Sequence, residues 1–204
     1  MANVIAPRGL SPVGTVVGAD WNQQGRLYAI ASDATNTYAI GDIVMSATSS
    51  DANGVPYAVK FTEGSVPLGV IVGIQVASPG VSLQGTTLSL EQSYIGLNAG
   101  TRYVYVVDDP NVIFQVQFDS TGVTQANIHK NAALTITANQ TSLSQSSPYS
   151  STVATAAATT NTLPLRLLGL AQQPNNTFGA NATVLAKFNI HEFGAGTGTN
   201  FTGV

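Results

Sequence analysis

The chain has 204 residues, no cysteine and a formal net charge of −3. This length fits one domain, with or without a small appendage, and allows a core to form without disulfides or metal. Charged residues make up 8% of the chain, whereas about 25% is usual for a soluble domain. The seven Lys and Arg residues are spread along the chain, which argues against a nucleic-acid-binding surface. Neutral Ser, Thr, Asn and Gln supply the polarity, and this suits a protein that packs densely against its own copies.

No segment of the sequence predicts a membrane partner. The first residues contain no basic stretch followed by an apolar one, as a secretory signal would. No apolar run reaches the 18 residues that a spanning helix needs. We therefore expect neither a membrane nor a nucleic acid among the partners.

Residues 1–25 are predicted to form an extended N-terminal arm. They contain Pro7 and Pro12 together with glycines at positions 9, 14, 18 and 25. Proline and glycine at this density favour turns and irregular chain over helix or continuous strand.

From residue 26 onward, short β-type runs alternate with turn residues. The runs are rich in Val, Ile, Thr and aromatic residues, which is typical of strands. Asn53-Gly54 lies between two runs and is a strong hairpin signal. The turn residues at 108–111 also separate two runs, so we expect a second hairpin there. The predicted strands are residues 26–30, 43–47, 57–61, 69–76, 86–90, 103–107, 113–118 and 133–137.

The rest of the chain contains one helical candidate and two irregular segments. Residues 122–132 are the helical candidate, with Thr124 as N-cap. Residues 139–162 are rich in Ser, Thr and Ala and uncharged, which predicts a low-complexity loop that is mobile or ordered by a partner subunit. Residues 163–172 and 182–193 predict a long C-terminal hairpin. Its inward side chains are expected to be Leu165, Leu167 and Val184.

Together these elements predict an all-β fold, with a β-barrel or sandwich core, an extended N-terminal arm and a long C-terminal hairpin. The expected organisation is an arm over residues 1–25, a single β domain over residues 26–193 and a flexible C-terminal tail over residues 194–204. The loop at 139–162 belongs to the β domain.

The sequence offers no catalytic or metal-binding constellation. His129 and His191 are the only histidines, and a metal site usually needs three or four close ligands. We interpret His191 as a histidine at the end of a strand. The chain contains no nucleophile elbow and no phosphate loop, and the spaced glycines after Gly194 lack the lysine of such a loop. We therefore expect no enzyme activity, no catalytic residue, no metal and no cofactor.

Two carboxylate motifs are better explained as turns. Asp108-Asp109 places two carboxylates side by side, which in principle could share a proton or bind Ca²⁺. Adjacent turn residues usually both face solvent, so we prefer the turn interpretation. The segment from Asp119 to Gly122 resembles the Asp-Ser/Thr-Gly turn of aspartic proteases, but it has one residue too many.

Carbohydrate binding is a further candidate, because lectins and phage tail fibres are also β-rich and poor in charge. Sugar platforms need exposed aromatic side chains, and Trp21 is the only tryptophan. The tyrosines fall mostly within strand patterns, where packing explains them.

Several segments share their order and spacing with those of a known protein family. The most specific is RYVYVVDDPN at 102–111, followed by FQVQ at 114–117. The others are YAIGDIV at 38–44, SDANGVP at 50–56, VPLGVIVG at 66–73, LPLRLLGL at 163–170, PNN at 174–176 and residues 182–191. No single segment is a catalytic signature, but together they resemble a family of tailed-phage structural proteins that includes head decoration, cement and minor capsid proteins.

The resemblance implies a virion protein without enzymatic role. Such a protein would bind the major capsid protein on the outer surface of the capsid and would stabilise the head across capsomer junctions. The virion that contains it would assemble in the host cytoplasm. A homotrimer is the expected oligomer, with the arm and the tail reaching neighbouring subunits. Two alternatives stay open: a phage tail, connector or host-glycan-binding fibre module, and a fragment of a polysaccharide-active enzyme.

Overall fold

The computed structural model describes residues 3–75, 94–144 and 146–194. This part of the chain is all-β, as the sequence predicts, and its only helical element is one 3₁₀ turn at Gln125–Asn127. The strands are β1 (Ser11–Thr15), β2 (Arg26–Ile30), β3 (Tyr38–Ala39), β4 (Ile43–Ser50), β5 (Pro56–Lys60), β6 (Gly69–Gln75), β7 (Tyr94–Ile95), β8 (Arg102–Val107), β9 (Val112–Gln117), β10 (Asn131–Thr135), β11 (Val153–Ala158), β12 (Leu165–Leu170) and β13 (Thr183–Phe188).

Five strands close into a small barrel in the order β2-β5-β4-β6-β8. Four of the junctions are antiparallel, and the parallel pairing of Ala29 with Tyr57 completes the ring between β2 and β5. The predicted hairpin at Asn53-Gly54 is confirmed, because β4 and β5 pair antiparallel on either side of it. The interior is apolar and is filled by side chains such as Ile30, Val44, Leu68, Ile71 and Val104.

The second unit is a six-stranded antiparallel sheet in the order β1-β9-β13-β12-β10-β11. The predicted C-terminal hairpin is confirmed as the pair β12–β13, in which Leu165 lies opposite Phe188. Leu165, Leu167 and Val184 are fully buried, as the alternation predicts.

One apolar core joins the barrel to the sheet. Barrel side chains such as Ile43 and Phe61 pack in the same cluster as Phe114, Leu165 and Leu167 of the sheet. The two units therefore share buried surface, and apolar burial of this kind is the main favourable term in folding.

The predicted hairpin across residues 108–111 is wrong. Strand β8 pairs with β2 and β6 in the barrel, whereas β9 pairs with β1 and β13 in the sheet. The turn therefore connects the two units. Both runs are strongly β-forming, but only partners far along the chain decide which sheet each one joins.

The loop predicted over 139–162 contains a strand, and this part of the prediction is wrong. Residues 153–158 form β11, which pairs with β10 at the edge of the sheet. Ala154 is fully buried in the shared core, so β11 contributes a small side chain to it.

The predicted N-terminal arm is not a separate arm over its whole length, because part of it belongs to the sheet. Residues 11–15 form β1, which pairs antiparallel with β9, and Leu10 is buried in the shared core. The N-terminal segment is therefore part of the sheet and cannot be removed without exposing apolar surface.

The helix predicted over 122–132 is reduced to the single 3₁₀ turn. Thr124 is its N-cap residue, and the Asn127 side chain accepts hydrogen bonds from the Thr124 backbone and hydroxyl at 2.7 Å. The turn ends at Ile128, whose backbone is extended with φ of −63° and ψ of 138°, and His129 then takes a left-handed conformation with φ of 66°.

The strand predicted at 86–90 and the tail after Gly194 lie outside the described residues. Within the described ranges, no helix has the length and apolar character needed to cross a bilayer.

Candidate functional site

The most distinctive surface of the molecule is its N-terminal segment, residues 3–17. Five of its apolar side chains are exposed to solvent, and Val17 and Ile5 keep 86% and 74% of their surface accessible. The five are Val4, Ile5, Val13, Val16 and Val17. Exposed apolar side chains concentrated on one surface segment typically mark a contact with another molecule.

This apolar segment has a defined position on the sheet. The Gln117 side chain accepts a hydrogen bond from the Ala6 backbone at 3.0 Å and donates one to the Val4 carbonyl at 2.8 Å. Asn3 donates to the carbonyls of Thr177 and Ala180. The flanking polar contacts therefore fix the backbone while leaving the apolar side chains outward.

The same segment crosses the barrel at a pair of glycines. Gly9 and Gly41 both have positive φ, and a Cβ added to Gly9 would lie 2.2 Å from the Gly41 carbonyl oxygen. The Leu10 backbone donates to the same oxygen at 2.9 Å. Only glycine permits two backbone segments to approach each other this closely in this conformation.

A buried polar network lies beside this crossing, and sequence reasoning missed it. Asp42 is fully buried and accepts a hydrogen bond from Lys60 Nζ at 2.5 Å, which makes a buried ion pair. Asp42 also accepts from the side chains of Gln140 and Ser150 and from the Ala39 backbone. Burial lowers the pKa of Lys60, and the Asp42 charge opposes this effect.

The network attaches the low-complexity segment to the barrel. Gln140 and Ser150 both come from residues 139–152, and each contacts Asp42 directly. The Gln140 backbone also donates to the Thr37 hydroxyl at 2.8 Å. A lysine inside an apolar strand run and an aspartate just before another were the sequence signals that could have pointed to this pair.

The structure does not bring the two histidines together into one site. His129 is exposed at the end of the 3₁₀ turn, whereas His191 follows β13 and is buried. Burial lowers the pKa of His191 to about 4, against the opposing charge of Asp108, so its imidazole is neutral near pH 7. Among the described residues, no group of three or more His, Asp or Glu side chains has the geometry of a metal site.

The segment after β13 connects the sheet to the barrel. The Glu192 side chain accepts hydrogen bonds from the backbone and hydroxyl of Ser46, and its backbone donates to the Pro67 carbonyl at 3.0 Å. His191 Nδ1 accepts from the Phe193 backbone. These contacts give His191 and Glu192 structural roles at the junction.

The carboxylates of Asp108, Asp109 and Asp119 accept hydrogen bonds that stabilise the local structure. Asp108 accepts a hydrogen bond from the Tyr28 hydroxyl at 2.8 Å and pairs with Arg26 at 3.2 Å, so it is not simply a solvent-facing turn residue. Asp109 is exposed and accepts from the Asn111 backbone. Burial alone would raise the pKa of Asp119, but hydrogen bonds from Thr121 and Thr155 lower it.

Trp21 is half-buried and packs against the shared core, so it is not a free platform for a sugar.

Comparison with known proteins gave no significant match: no family model, curated protein or solved structure is similar enough to assign a family. The interpretation of function therefore depends on the residues and surfaces described above.

Proposed function

We propose that this protein is a virion structural protein of a tailed bacteriophage, a cement or decoration protein that binds the assembled head. The observation that carries the proposal is the apolar segment of residues 3–17, whose side chains are exposed while its backbone is hydrogen-bonded to the sheet. The resemblance of several sequence segments to the decoration and cement family agrees with this surface.

The mechanism follows from mass action. A protein that buries apolar surface across the junction between neighbouring capsomers binds the assembled shell and not the separate subunits. Its binding free energy therefore adds to the stability of the shell. The low content of charged residues reduces repulsion between closely packed copies.

The proposed partners are the major capsid protein and two further copies of this chain. A homotrimer matches the three-fold positions at which three capsomers meet on the outer surface of a head. The apolar segment is the part of each copy that we assign to the contact with the shell. Sedimentation equilibrium of the free protein measures the oligomer directly.

The test uses surface variants, because truncating the N-terminal 25 residues would remove β1 and buried Leu10. Heads that lack the protein are mixed with wild type or with a variant carrying Val4→Ser, Ile5→Ser, Val16→Ser and Val17→Ser. Wild type should co-sediment with heads and raise the temperature of DNA release. The variant should keep its β circular-dichroism spectrum and bind at least tenfold more weakly.

The matched control carries Val66→Ser and Leu97→Ser, two exposed apolar residues outside the N-terminal segment. It should bind heads like wild type. Failure of the wild-type protein to co-sediment, with equal release temperatures, would refute the cement proposal. A copy number of tens per particle, measured by gel densitometry of purified virions, would favour a tail, connector or fibre position instead of the head.

A further inference from the structure

An open groove of about 620 Å³ lies beside the N-terminal segment. Its walls are residues 3–11, the outward side of β9 and the connection between β12 and β13. The volume falls within the range of small-molecule binding sites. The groove shares Val4 with the exposed apolar side chains of residues 3–17, but most of its lining is polar.

Carboxamide side chains dominate the lining, and seven of the fifteen lining residues are Asn or Gln. Among the described residues, no Asp or Glu lines the groove, and Arg8 is the only charged one that does. The Arg8 guanidinium packs over the Tyr149 ring, with Cζ 5.2 Å from the ring centroid. Such a lining does not favour a metal cation, and it offers many neutral donors and acceptors.

Three of the amides hold the walls, and both donor hydrogens of each amide nitrogen are already hydrogen-bonded to the protein. Asn176 donates to the carbonyls of Ala171 and Thr183 and accepts from the Thr183 backbone at 2.9 Å. Asn3 and Gln117 make two donor bonds and one acceptor bond each in the same way. The groove is therefore shaped before any ligand arrives, which lowers the entropy cost of binding.

The other amides keep hydrogen-bonding groups available. Gln115 Nε2 donates to Gln173 Oε1 at 3.1 Å, and this bond leaves the Gln115 oxygen and the Gln173 nitrogen without another partner among the described residues. The side chains of Asn175 and Asn181 make no hydrogen bond within that part of the chain. Both have positive φ, at 62° and 56°, so the backbone fixes where they project.

A hydroxyl group both donates and accepts, so a pair of neighbouring hydroxyls complements the paired donor and acceptor of a carboxamide. A ligand with many hydroxyls and no charge would match the available groups of this groove. We propose that the groove binds a neutral oligosaccharide, with Gln115 and Gln173 as its central ligand-binding pair.

The test uses the full chain and three defined probes: maltohexaose, cellohexaose and chitohexaose. Binding is measured by isothermal titration calorimetry, with polygalacturonate as a charged comparison. We expect at least one neutral hexamer to bind with a Kd below about 1 mM, and the polyanion to bind at least tenfold more weakly.

The decisive variant combines Gln115→Ala and Gln173→Ala, and the matched control combines Gln125→Ala and Gln172→Ala, two exposed glutamines outside the groove. The groove variant should lose at least tenfold in affinity while keeping the wild-type melting temperature. The control should stay within twofold of wild type. The proposal is overturned if no neutral hexamer binds, if the polyanion binds best, or if both double variants have the same affinity.

Discussion

The barrel and the six-stranded sheet both bury apolar side chains, but the barrel also buries an ion pair. In the barrel, the fully buried Asp42 pairs with Lys60 inside a network of side-chain hydrogen bonds. Both of the ion pairs in the described part of the chain involve barrel residues or the turn that follows β8. The sheet instead packs Phe114, Leu165 and their neighbours into an apolar core.

The difference explains how a segment with few large apolar residues becomes ordered. Residues 139–152 contribute Gln140, Ser150 and Thr152 to buried positions around Asp42. Hydrogen bonds to a buried charge are worth more than neutral ones, so they compensate for the missing apolar surface. Residues 153–158 use the other solution and enter the sheet as β11.

The largest expected effect is in the barrel. Asp42→Ala leaves the Lys60 ammonium buried without its charge partner and removes the acceptor for Gln140 and Ser150. We expect the free energy of unfolding to fall by about 3–5 kcal/mol, because an unpaired buried charge is strongly unfavourable. Urea unfolding followed by circular dichroism measures it.

The control for this prediction removes both charges with Asp42→Leu and Lys60→Met. The double variant should recover only the part of the loss that comes from the unpaired Lys60 charge, because the Ala39 backbone, Gln140 and Ser150 still lack their acceptor. A loss below about 1 kcal/mol for the single variant would mean that the ion pair does not stabilise the barrel in the way described.

The next effect tests the apolar sheet. Leu167→Ala removes a fully buried side chain from β12 and should lower the free energy of unfolding by about 2–5 kcal/mol. The neighbouring Arg166→Ala serves as control, because Arg166 is exposed and should change stability by less than about 0.5 kcal/mol. Equal urea midpoints for the two variants would show that the assigned register of β12 is incorrect.

A smaller, pH-dependent effect tests the junction of the two units. Burial lowers the pKa of His191 to about 4 from 6.5, so the folded state keeps the neutral imidazole. As pH falls from about 6.5 to 4, the unfolded state takes up a proton that the folded state does not. Stability should therefore decrease over this window by up to about 3 kcal/mol, measured by urea unfolding at each pH.

Replacing the ring isolates the contribution of this histidine. His191→Leu should be less sensitive to pH between 6.5 and 4, whatever its absolute stability. His129→Asn is the matched control, because Asn tolerates the left-handed backbone at that position, and it should keep the wild-type pH dependence. Identical pH profiles for wild type and His191→Leu would exclude His191 as the source.

The sequence predicted most strands because alternation and β-branched residues are local signals. The runs at 26–30 and 103–107 became β2 and β8 with little change in their bounds. The predicted hairpin at 108–111 failed because pairing partners are decided by distant residues: β9 joins β1 and β13. Strand β11 was missed because its Ala and Thr residues lack the bulk that marks a buried strand.

The apolar segment and the groove are harder to predict from the sequence than the strands are. The apolar residues from Val4 to Val17 are visible in the sequence, but their exposure follows from how β1 and Leu10 dock. The groove combines Asn3, Gln115 and Gln173, which are far apart in the chain and carry no shared motif. Neutral amides are common in this sequence, so only the fold distinguishes the few that converge.

The antiparallel pairing of β1 with β9 delays the folding of β1 during translation. Ser11 lies opposite Gln115, so β1 leaves the ribosome and waits for a partner strand that is made about one hundred residues later. At translation rates of roughly 5–20 residues per second, this wait lasts on the order of 5–20 seconds. During that time Val13, Val16 and Val17 have no sheet beside them. Nascent chains on neighbouring ribosomes must therefore avoid aggregating through these unpaired segments.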